Sequence, residues 1–491
     1  MVMKKIILFV SLAVCLSGCS LDVNTDPNYP STVGSSLVLP SVENSIATVV
    51  GDGMYNYAGF FAQYYDQMPE ANQYNAISEY SFTEQSQLID RSYRTLYAGA
   101  LEDVDVILKD KDATAADKYA ATILRAFTFQ ILVDNLDKVP YSEALQGSAN
   151  STPKWDEGQS VYTGVLAELD AAESVLGSTS IKASDLLLKK NLTQWKGFAN
   201  ALRLRMYLRL VDAGVDVAGY TAKIKTLVDG GVFFTGDIKY DVFSDQADKR
   251  NPWYAANKVN LAMNHVAAYP IVTYLLATND PRISYSFVKA TKTSVYAGEL
   301  PGSKVALSSK KNADYSFLNY YPTKPVYFFT QSELQFFLAE AYLRFYNNDT
   351  KAQAAYEAGI AADFTARSMS DSPSVMYGNG GKVAWATAAD NTAKLSLIYM
   401  QKWVALCYMD HMEAWSEIRR TDVPKLSSKT ANQINSDATV YTPGELISPM
   451  RNGFGDGNMV KRMFFPLTAR QLNVNTPAMV PVTTSVWWDK K

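Results

Sequence analysis

Long stretches with apolar residues at every third or fourth position constrain this chain to a mainly α-helical fold. The clearest example is a stripe formed by Ala120, Ile123, Leu124, Phe127 and Ile131. These residues share one face of a helix, because an α-helix turns once in about 3.6 residues. Such a face is buried against a neighbouring element, so we expect the helices to pack against one another.

The same pattern predicts further helices and some of their first residues. Thr114 and Asp117 resemble a capping box, and Thr330 to Glu333 form a complete one. We expect the helix at 161–176 to pair with the helix at 193–213. The predicted helical segments are 37–50, 54–65, 82–108, 114–136, 161–176, 193–213, 262–276, 330–345, 352–364 and 394–420.

One predicted helix pair has small residues where its two helices would cross. Residues 334–345 carry an apolar stripe, and residues 352–364 follow after a short turn with Ala355, Ala358 and Gly359 among them. Small side chains allow two antiparallel helices to approach closely. The pair resembles one tetratricopeptide unit, although the chain shows no exact repeat of that length.

The N-terminus indicates export and a lipid anchor. Lys4 and Lys5 precede an apolar run at 6–16, which is shorter than the roughly 20 residues of a membrane-spanning helix. Ser17 and Gly18 then lead into Cys19, which resembles a bacterial lipobox. We therefore predict a signal peptide at 1–18, lipidation of Cys19 and a polar tether at 19–36. An ordinary secretory signal with an incidental cysteine is the alternative.

Composition limits the partners and the stabilising bonds of the exported chain. Loss of Lys4 and Lys5 with the signal shifts the formal charge from −3 to −5, which argues against nucleic acid and anionic membrane surfaces as partners. Cys15 is lost with the signal and Cys19 is lipidated, so Cys407 has no intrachain disulfide partner and packing must stabilise the fold. We expect residues 37–491 to form a single domain.

Residues 232–330 differ from the rest of the chain. Glycine, proline, asparagine, aspartate and aromatic residues dominate there, and only 262–276 has a helical pattern. Residues 283–288 alternate as a short strand would. We expect an irregular, loop-rich insertion with minor β-structure, and we expect it to carry the recognition surface because loops on a rigid frame commonly do so.

No catalytic or metal-binding pattern stands out. His265 and His411 lie outside any H-E-x-x-H motif, and the chain has no G-x-S-x-G or P-loop sequence. Glu413 and Glu417 share a helix face with Arg420, which favours a structural ion-pair cluster over an acid/base pair. Residues 452–458 could wrap calcium, but a glycine-rich turn fits better. We predict no catalytic residue, metal or cofactor.

Aromatic residues next to loop chemistry are the best candidates for ligand contact. Tyrosine is abundant, with 31 residues against 2 histidines, and aromatic rings with amides suit hydroxyl-rich sugars, although peptides could use the same surface. Arg250 and Arg282 are weaker candidates, and the arginines at 203, 205 and 209 are better explained by structural ion pairs or a solvated face. The predicted ligand-binding residues are Tyr74, Trp253, Tyr254, Tyr315, Tyr320 and Tyr321.

Several motifs, in order along nearly the whole chain, resemble those of SusD/RagB-type nutrient-binding outer-membrane lipoproteins, in the branch labelled starch-binding and associating with the outer membrane. In the motif at 134–144, Asp137 stands where the family commonly has glycine, and in the motif that ends at Asn473, Arg470 stands where the family has an acidic residue. The matching segments are Asp22–Asn28, Asp134–Ala144, Phe198–Arg205, Gln331–Arg344, Glu413–Thr421 and Met463–Pro466 with Asn473.

This resemblance implies a mainly α-helical SusD-like body with tetratricopeptide-like helix pairs on the outer surface of a Bacteroidetes-type cell. It also implies a SusC-like TonB-dependent β-barrel partner, over which the protein acts as a lid that delivers an oligosaccharide. The matched motifs are mostly scaffold and transfer no ligand site. The alternatives are a RagB-like peptide importer and a surface glycoside hydrolase, which would need two opposed carboxylates.

Overall fold

Helices make up most of the chain, as the sequence predicts. The computed structural model describes residues 35–303, 307 and 309–491, so the predicted signal peptide, Cys19 and the tether as far as residue 34 lie outside the described residues. The helices are α1 (Leu39–Thr48), α2 (Met54–Phe61), α3 (Asn75–Ser78), α4 (Asp90–Thr95), α5 (Glu102–Lys109), α6 (Ala115–Leu136), α7 (Gly158–Ser174), α8 (Leu192–Asp212), α9 (Val217–Gly230), α10 (Pro252–Tyr254), α11 (Tyr269–Ala277), α12 (Ile283–Ser286), α13 (Gln331–Phe345), α14 (Asp349–Ala366), α15 (Ser374–Tyr377), α16 (Asn391–Leu406), α17 (His411–Thr421), α18 (Ala431–Ser436) and α19 (Leu467–Leu472). The strands are β1 (Tyr65–Gln67), β2 (Lys138–Val139), β3 (Asp156–Glu157), β4 (Ile238–Tyr240), β5 (His265–Ala267), β6 (Phe287–Val288), β7 (Phe317–Leu318) and β8 (Val326–Phe329).

Two predicted capping boxes differ in how completely they form. At α6, the Thr114 side chain accepts from the Asp117 backbone N–H at 3.0 Å, and Asp117 accepts from the Thr114 N–H at 3.0 Å, which confirms the box. At α13, Thr330 accepts from the Glu333 N–H at 3.0 Å. The return bond is missing because the Glu333 carboxylate instead binds the Arg205 guanidinium at 2.5 Å.

Consecutive helices pack as antiparallel pairs, but one predicted pairing is wrong. α7 packs mainly on α6, and α8 packs mainly on α9, a helix that the sequence analysis missed. The connection from α8 to α9 spans only 213–216, whereas 175–191 separates α7 from α8. A short connection forces neighbouring helices into contact, so α8 meets α9 first.

The predicted close approach between α13 and α14 is confirmed. Ser332 donates a hydrogen bond to the Gly359 carbonyl oxygen at 2.7 Å. A Cβ atom at Gly359 would lie 2.8 Å from the Phe336 ring, closer than carbon atoms approach without displacement. The glycine therefore sets the separation of these two helices.

The long helix predicted at 394–420 is instead two helices, α16 and α17. Asp410 caps α17 by accepting from the Glu413 N–H at 3.0 Å, and Tyr408 takes a left-handed conformation with φ of 69°. His411 supports this break, because its Nε2 accepts from the Tyr408 N–H at 2.9 Å. The other ring nitrogen, Nδ1, then donates to the Tyr55 carbonyl oxygen at 3.1 Å, so His411 is a structural histidine, as predicted.

Buried ion pairs connect the helices, and they explain the arginines of α8. Arg209 binds Asp134 of α6 at 2.7 Å and Glu413 of α17 at 2.7 Å, and Arg205 binds Glu333 of α13. All of these side chains are buried. The structural ion pairs are confirmed, and the alternative of a solvated face is wrong for these two arginines.

The predicted cluster of Glu413, Glu417 and Arg420 is only partly right. Arg420 binds Glu417 and Glu340 at 2.7 Å each, and Lys402 binds Glu417 at 2.7 Å. Glu413 turns to Arg209 instead. The neighbouring arginines and Lys402 lower the pKa of Glu417 well below its usual range despite burial, so this carboxylate remains charged.

The loop-rich segment 232–330 is tied to the helical body by short antiparallel strands. β1 follows α2 after residues 62–64 and pairs with β5, within a sheet of order β1-β5-β7-β6. The helix predicted at 262–276 begins only at Tyr269, because β5 precedes it and Pro270 occupies its first turn. The strand predicted at 283–288 is a helical turn followed by the two residues of β6.

One large apolar cluster includes residues of the helices, of segment 232–330 and of the C-terminal segment. Trp195, Trp253, Trp415 and Trp488 all belong to it. Among the described residues, no helix combines the length and apolarity needed to cross a bilayer.

Candidate ligand-binding surface

An aromatic cluster lies where segment 232–330 meets α2 and β1. We call the buried residues Tyr55, Tyr65, Trp253 and His265 the interior aromatic cluster. Trp253 stacks on Tyr320 with ring centres 4.7 Å apart and meets Tyr55 edge to face at 5.3 Å. The strand pairing of β1 with β5 brings the ring centres of Tyr65 and His265 to 4.6 Å from each other. Side chains that are distant in sequence therefore converge here.

Trp253 lies inside this cluster rather than on the surface. Its side chain is 2% exposed, and its indole N–H donates to Asn56 Oδ1 at 3.1 Å. Pro252 and Asn251 start the one-turn helix α10, which turns Trp253 inward and its neighbour Tyr254 outward. The sequence predicts Trp253 on a ligand-facing loop, and its inward rotation depends on contacts that form only in the folded chain.

His265 links the interior cluster to Tyr74. Its Nδ1 lies 2.8 Å from the Tyr320 hydroxyl, and its ring stacks on Tyr74 with centres 5.0 Å apart. Burial lowers the pKa of His265 to about 3, so the ring is neutral at physiological pH. A neutral ring between two tyrosines orients them and carries no charge toward a ligand.

Tyr74 is fixed by polar contacts but remains partly exposed. Its hydroxyl donates to Asn257 Oδ1 at 2.7 Å, and its backbone N–H donates to Gln67 Oε1 at 2.5 Å. Asn72 and Gln73, which precede it, are exposed. This is a rigid ring beside amide groups, the combination that the sequence analysis sought.

Tyr254 and Tyr321 lie on two loops that meet at Asn251. The Asn251 N–H donates to the Pro322 carbonyl oxygen at 2.7 Å, and its side-chain amide donates to the Lys324 carbonyl oxygen at 2.8 Å. Tyr254 is partly exposed and Tyr321 is 48% exposed, with its hydroxyl hydrogen-bonded to the Asn319 amide. We define the outer rim as Tyr74, Tyr254, Tyr320 and Tyr321, all of which retain exposed area.

Tyr315 lies apart from the outer rim. It is 7% exposed and packs with Met68 and Val266 in a small separate cluster. Met68 and Tyr74 belong to the same loop after β1, so Tyr315 supports that loop from below. Its ring offers little area to a ligand in this structure.

A surface cleft next to Tyr254 contains residues that the sequence analysis missed. The cleft has a volume of about 300 Å³ and includes Asn44, Thr48, Phe243, Asp248 and Arg250 in its lining. Asn44 and Thr48 are one turn apart on α1, and this i, i+4 spacing of polar residues on an apolar helix was the available signal. A cleft of this size, with one ring and several hydrogen-bonding groups, suits a small polar ligand.

The two arginines named as weaker candidates have different positions. Arg250 binds Asp245 at 2.7 Å, and its guanidinium lies 5.9 Å from the centre of the Tyr254 ring, at the cleft. Arg282 is buried between Asp280 at 2.6 Å and Asp363 at 3.0 Å. Arg282 is therefore a structural residue, and its candidacy was wrong because an inward-facing arginine cannot be recognised from sequence alone.

Lys324 lies beneath the outer rim with aromatic partners. Its ammonium donates to the Tyr55 hydroxyl at 2.6 Å and lies 4.8 Å and 5.0 Å from the ring centres of Tyr55 and Tyr408. Burial lowers the pKa of Lys324 well below its usual value. The Tyr55 hydroxyl and the two neighbouring rings hold this amine in place.

The described residues contain no group of three or more histidine, cysteine, aspartate or glutamate side chains placed to hold a metal. At 452–458, Asn452 donates to the Asn458 carbonyl oxygen and Asn458 donates to the Phe454 carbonyl oxygen, each at 2.7 Å. These bonds close a turn. Four buried carboxylates of the helical body, Glu333, Glu340, Glu413 and Glu417, are engaged with arginines.

The sequence matches a family model with the description "Starch-binding associating with outer membrane" over residues 27–442. A comparison with curated proteins finds no match. Among solved structures, a chitin-binding SusD homologue from Flavobacterium johnsoniae is 22% identical, with 91% of this chain and 98% of that chain covered and a TM-score of 0.71. A SusD homologue from Bacteroides uniformis is 22% identical, with 92% and 99% covered and a TM-score of 0.73.

A third similar structure, a SusD homologue from Bacteroides ovatus, is 22% identical, with 94% of this chain and all of that chain covered and a TM-score of 0.72. At this identity the likeness concerns the fold, and it confirms the predicted mainly α-helical, SusD-like architecture. The family model spans most of the 491 residues and agrees with the motif order in the sequence. On this evidence the chain belongs to the SusD-like family of starch-binding, outer-membrane-associating proteins.

Proposed function

We propose that this protein captures an oligosaccharide at the cell surface and binds it on the outer rim, without chemistry of its own. The observation that carries the proposal is the convergence of partly exposed tyrosines from two segments, 68–74 and 251–321, beside amides and a polar cleft. The family description and the chitin-binding relative from Flavobacterium johnsoniae support a polysaccharide ligand.

Sugar binding needs apolar faces and hydrogen-bonding groups side by side. The C–H face of a pyranose packs on an aromatic ring, and amides and carboxylates bind its hydroxyls. Tyr254 and Tyr321 offer rings on adjoining loops, and Asn44, Asp248 and Arg250 offer polar groups in the neighbouring cleft. An oligosaccharide lying from the cleft across Tyr254 to Tyr321 would use both kinds of contact.

Retardation in native gels that contain soluble starch or glycol chitin tests this site. We expect the wild-type protein to be retarded and the double variant Tyr254→Ala, Tyr321→Ala to lose about tenfold or more in affinity, since each stacked ring contributes about 0.5–1.5 kcal/mol beyond burial. Tyr377→Ala is the matched control, because Tyr377 is partly exposed on α15, outside both loops. Equal retardation of wild type and double variant would place the site elsewhere.

Trp253→Ala is a poor test of ligand contact in this protein. Removing a fully buried aromatic side chain costs about 3–5 kcal/mol of stability, so lost binding would reflect damage to the fold. Substitutions on the outer rim avoid this difficulty.

We further propose that acylation of Cys19 anchors the protein in the outer membrane, where it acts as a lid on a SusC-like TonB-dependent β-barrel. The lipobox-like sequence before Cys19 and the family description support this arrangement. A ligand held jointly by lid and barrel favours the closed state through its higher affinity for that state. Tagged protein from detergent-solubilised membranes should co-purify with a large β-barrel, and Cys19→Ser should abolish membrane retention.

Peptide capture and glycoside hydrolysis are the two alternative functions. Peptide binding would require a groove with backbone-pairing edges and charges for the chain ends. Hydrolysis would require two carboxylates that face each other across a sugar. Incubation of the protein with starch and chitin oligosaccharides, followed by product analysis, distinguishes binding from hydrolysis, and new reducing ends that appear only with active protein would contradict our proposal.

A further inference from the structure

A second and larger cleft lies away from the outer rim, near the C-terminal part of the chain. It has a volume of about 820 Å³ and is bordered by α16, α17 and the segments 422–426 and 459–461. We call it the C-terminal cleft. Its volume is within the range of about 300–1,000 Å³ that is typical of ligand sites.

The C-terminal cleft and the outer rim face opposite sides of α2. Phe60 contacts Tyr74 and His265, with ring centres 5.6 Å and 5.5 Å away. The next residue, Phe61, lines the C-terminal cleft and packs on Trp415 at 5.1 Å. The two surfaces are therefore separate.

Positive charge predominates in the lining of the C-terminal cleft. Five lining side chains are cationic, and two, Asp212 and Asp422, are carboxylates. Asp212 is already bound to Arg344 at 2.5 Å and to Arg420 at 2.6 Å, and Lys461 is bound to Asp489 at 2.9 Å. Lys425, at the mouth, is exposed and forms no ion pair with any described residue.

Arg419 adds a buried cation whose direct hydrogen-bond partners are all neutral groups. Its guanidinium donates to the carbonyl oxygens of Asp134 at 2.6 Å and Lys461 at 2.9 Å and to Ser416 Oγ at 2.9 Å. Among the described residues, no carboxylate lies within ion-pair distance of it. Burial lowers its pKa to about 10 against the opposing effect of the nearby Asp134 and Asp489, so the group stays charged at physiological pH. A buried cation that is hydrogen-bonded only to neutral groups makes the adjoining space favourable for an anion.

The apolar lining is aliphatic rather than aromatic. Leu395, Ile418, Val423 and Leu426 line the cleft, and Leu426 is 37% exposed. The rings of Trp415 and Tyr399 also border it, but these residues are 1% and 9% exposed, so they offer no face for a sugar to stack on. Branched aliphatic side chains match leucine or isoleucine side chains of a peptide more closely than a pyranose.

We propose that the C-terminal cleft is a docking site for a peptide segment of a partner protein in which aliphatic residues alternate with aspartate or glutamate. The aliphatic side chains would enter the cleft beside Ile418 and Leu426, and the carboxylates would meet the field of Arg419 and Lys425. Complementary charge of this kind raises association rates and excludes basic segments.

Fluorescence anisotropy with a short labelled peptide of alternating leucine and glutamate tests the proposal on the purified chain. We expect saturable binding that weakens about tenfold in Lys425→Glu and in Leu426→Glu, and that falls as salt is raised. The same peptide with glutamine in place of glutamate should bind more weakly. Thermal unfolding of each variant verifies that the fold is retained.

The matched controls are an exposed lysine and an exposed apolar residue that lie outside the cleft, each changed to glutamate. Lys429→Glu changes an exposed lysine of the same loop, and Val474→Glu changes an apolar residue that is 89% exposed. Both should leave the affinity within about twofold of wild type. Peptide binding that is unchanged by Lys425→Glu and Leu426→Glu would overturn the proposal. The proposal would also be overturned if the cleft bound an acidic glycan such as oligogalacturonate instead of the peptide, and if Leu426→Glu abolished that glycan binding.

Discussion

Arg209 and Glu413 form an ion pair with two hydrogen bonds in the middle of the helical body, and Arg209 Nη2 lies 2.7 Å and 2.8 Å from the two carboxylate oxygens. The residues belong to α8 and α17, and the other end of the guanidinium binds Asp134 of α6 at 2.7 Å. Three helices that are far apart in sequence are thus held at one point. Both side chains are fully buried, so their charges are mutually required.

Glu413→Gln should reduce the free energy of unfolding by about 3–5 kcal/mol, because it removes one partner of a buried pair and leaves the other charged. Glu173→Gln is the control. Glu173 is 38% exposed and binds Arg203 at 2.9 Å, so its loss should cost about 1 kcal/mol or less. Urea unfolding measures both, and equal losses would show that the central pair contributes no more than a surface contact.

The protonation of Glu43 should make stability depend on pH. Burial, and next the nearby Asp185, raise the pKa of Glu43 from 4.5 to about 9. Between these values the folded state retains the proton and the unfolded state loses it, so stability from this group is complete below about pH 4.5 and falls as the pH rises toward 9. Urea unfolding of wild type and Glu43→Gln at pH 5 and pH 8 measures the effect.

Glu43→Gln should lack this contribution, so its stability relative to wild type should increase with pH, by at most about 1.4 kcal/mol per pH unit. Glu173→Gln, which removes the same charge at an exposed position, should show no such trend. A constant difference between wild type and Glu43→Gln across this range would contradict the protonated state of Glu43.

Gly359→Ala tests the close contact between α13 and α14. The new methyl group would lie 2.8 Å from the Phe336 ring, and overpacking of this kind costs about 1–3 kcal/mol. Gly230→Ala, in α9, is the control because no atom lies within 4 Å of its added Cβ atom. Thermal unfolding should therefore show a lower midpoint for Gly359→Ala and little change for Gly230→Ala.

Cys407 should resist thiol reagents until the protein unfolds. It is buried, and burial raises the pKa of its thiol to about 12, so the reactive thiolate is scarce and shielded. Labelling with a chromogenic disulfide should be slow in buffer and complete in denaturant. Rapid labelling in buffer would indicate local opening at the junction of α16 and α17.

The helices could be predicted because their evidence is local. Apolar spacing at 115–136 and the Thr114 capping box act within a few residues, and both are confirmed. Long-range contacts decided the rest. The Glu333 side chain binds Arg205 instead of completing its capping box. Asp410 caps α17 and so divides the helix predicted at 394–420, although the apolar pattern runs through this point without a break.

The candidate site was harder to predict than the fold. Sequence analysis identified tyrosines beside loop residues, and the structure brings Tyr74, Trp253 and Tyr320 together through His265. The sequence does not reveal that α10 turns Trp253 inward and Tyr254 outward. Asn44 and Thr48 of α1 were missed as well, because only the folded chain places them beside Arg250.

Calorimetric titration of the purified protein with malto- and chito-oligosaccharides of increasing length tests glycan binding on the outer rim. We predict saturable binding of one series, with an affinity that rises with length as the sugar extends from the cleft at Arg250 across Tyr254 to Tyr321. The affinity should fall about tenfold or more in the double variant Tyr254→Ala, Tyr321→Ala. Binding that is unchanged in this double variant, or heat only from mixed peptides and none from any oligosaccharide, would contradict the account.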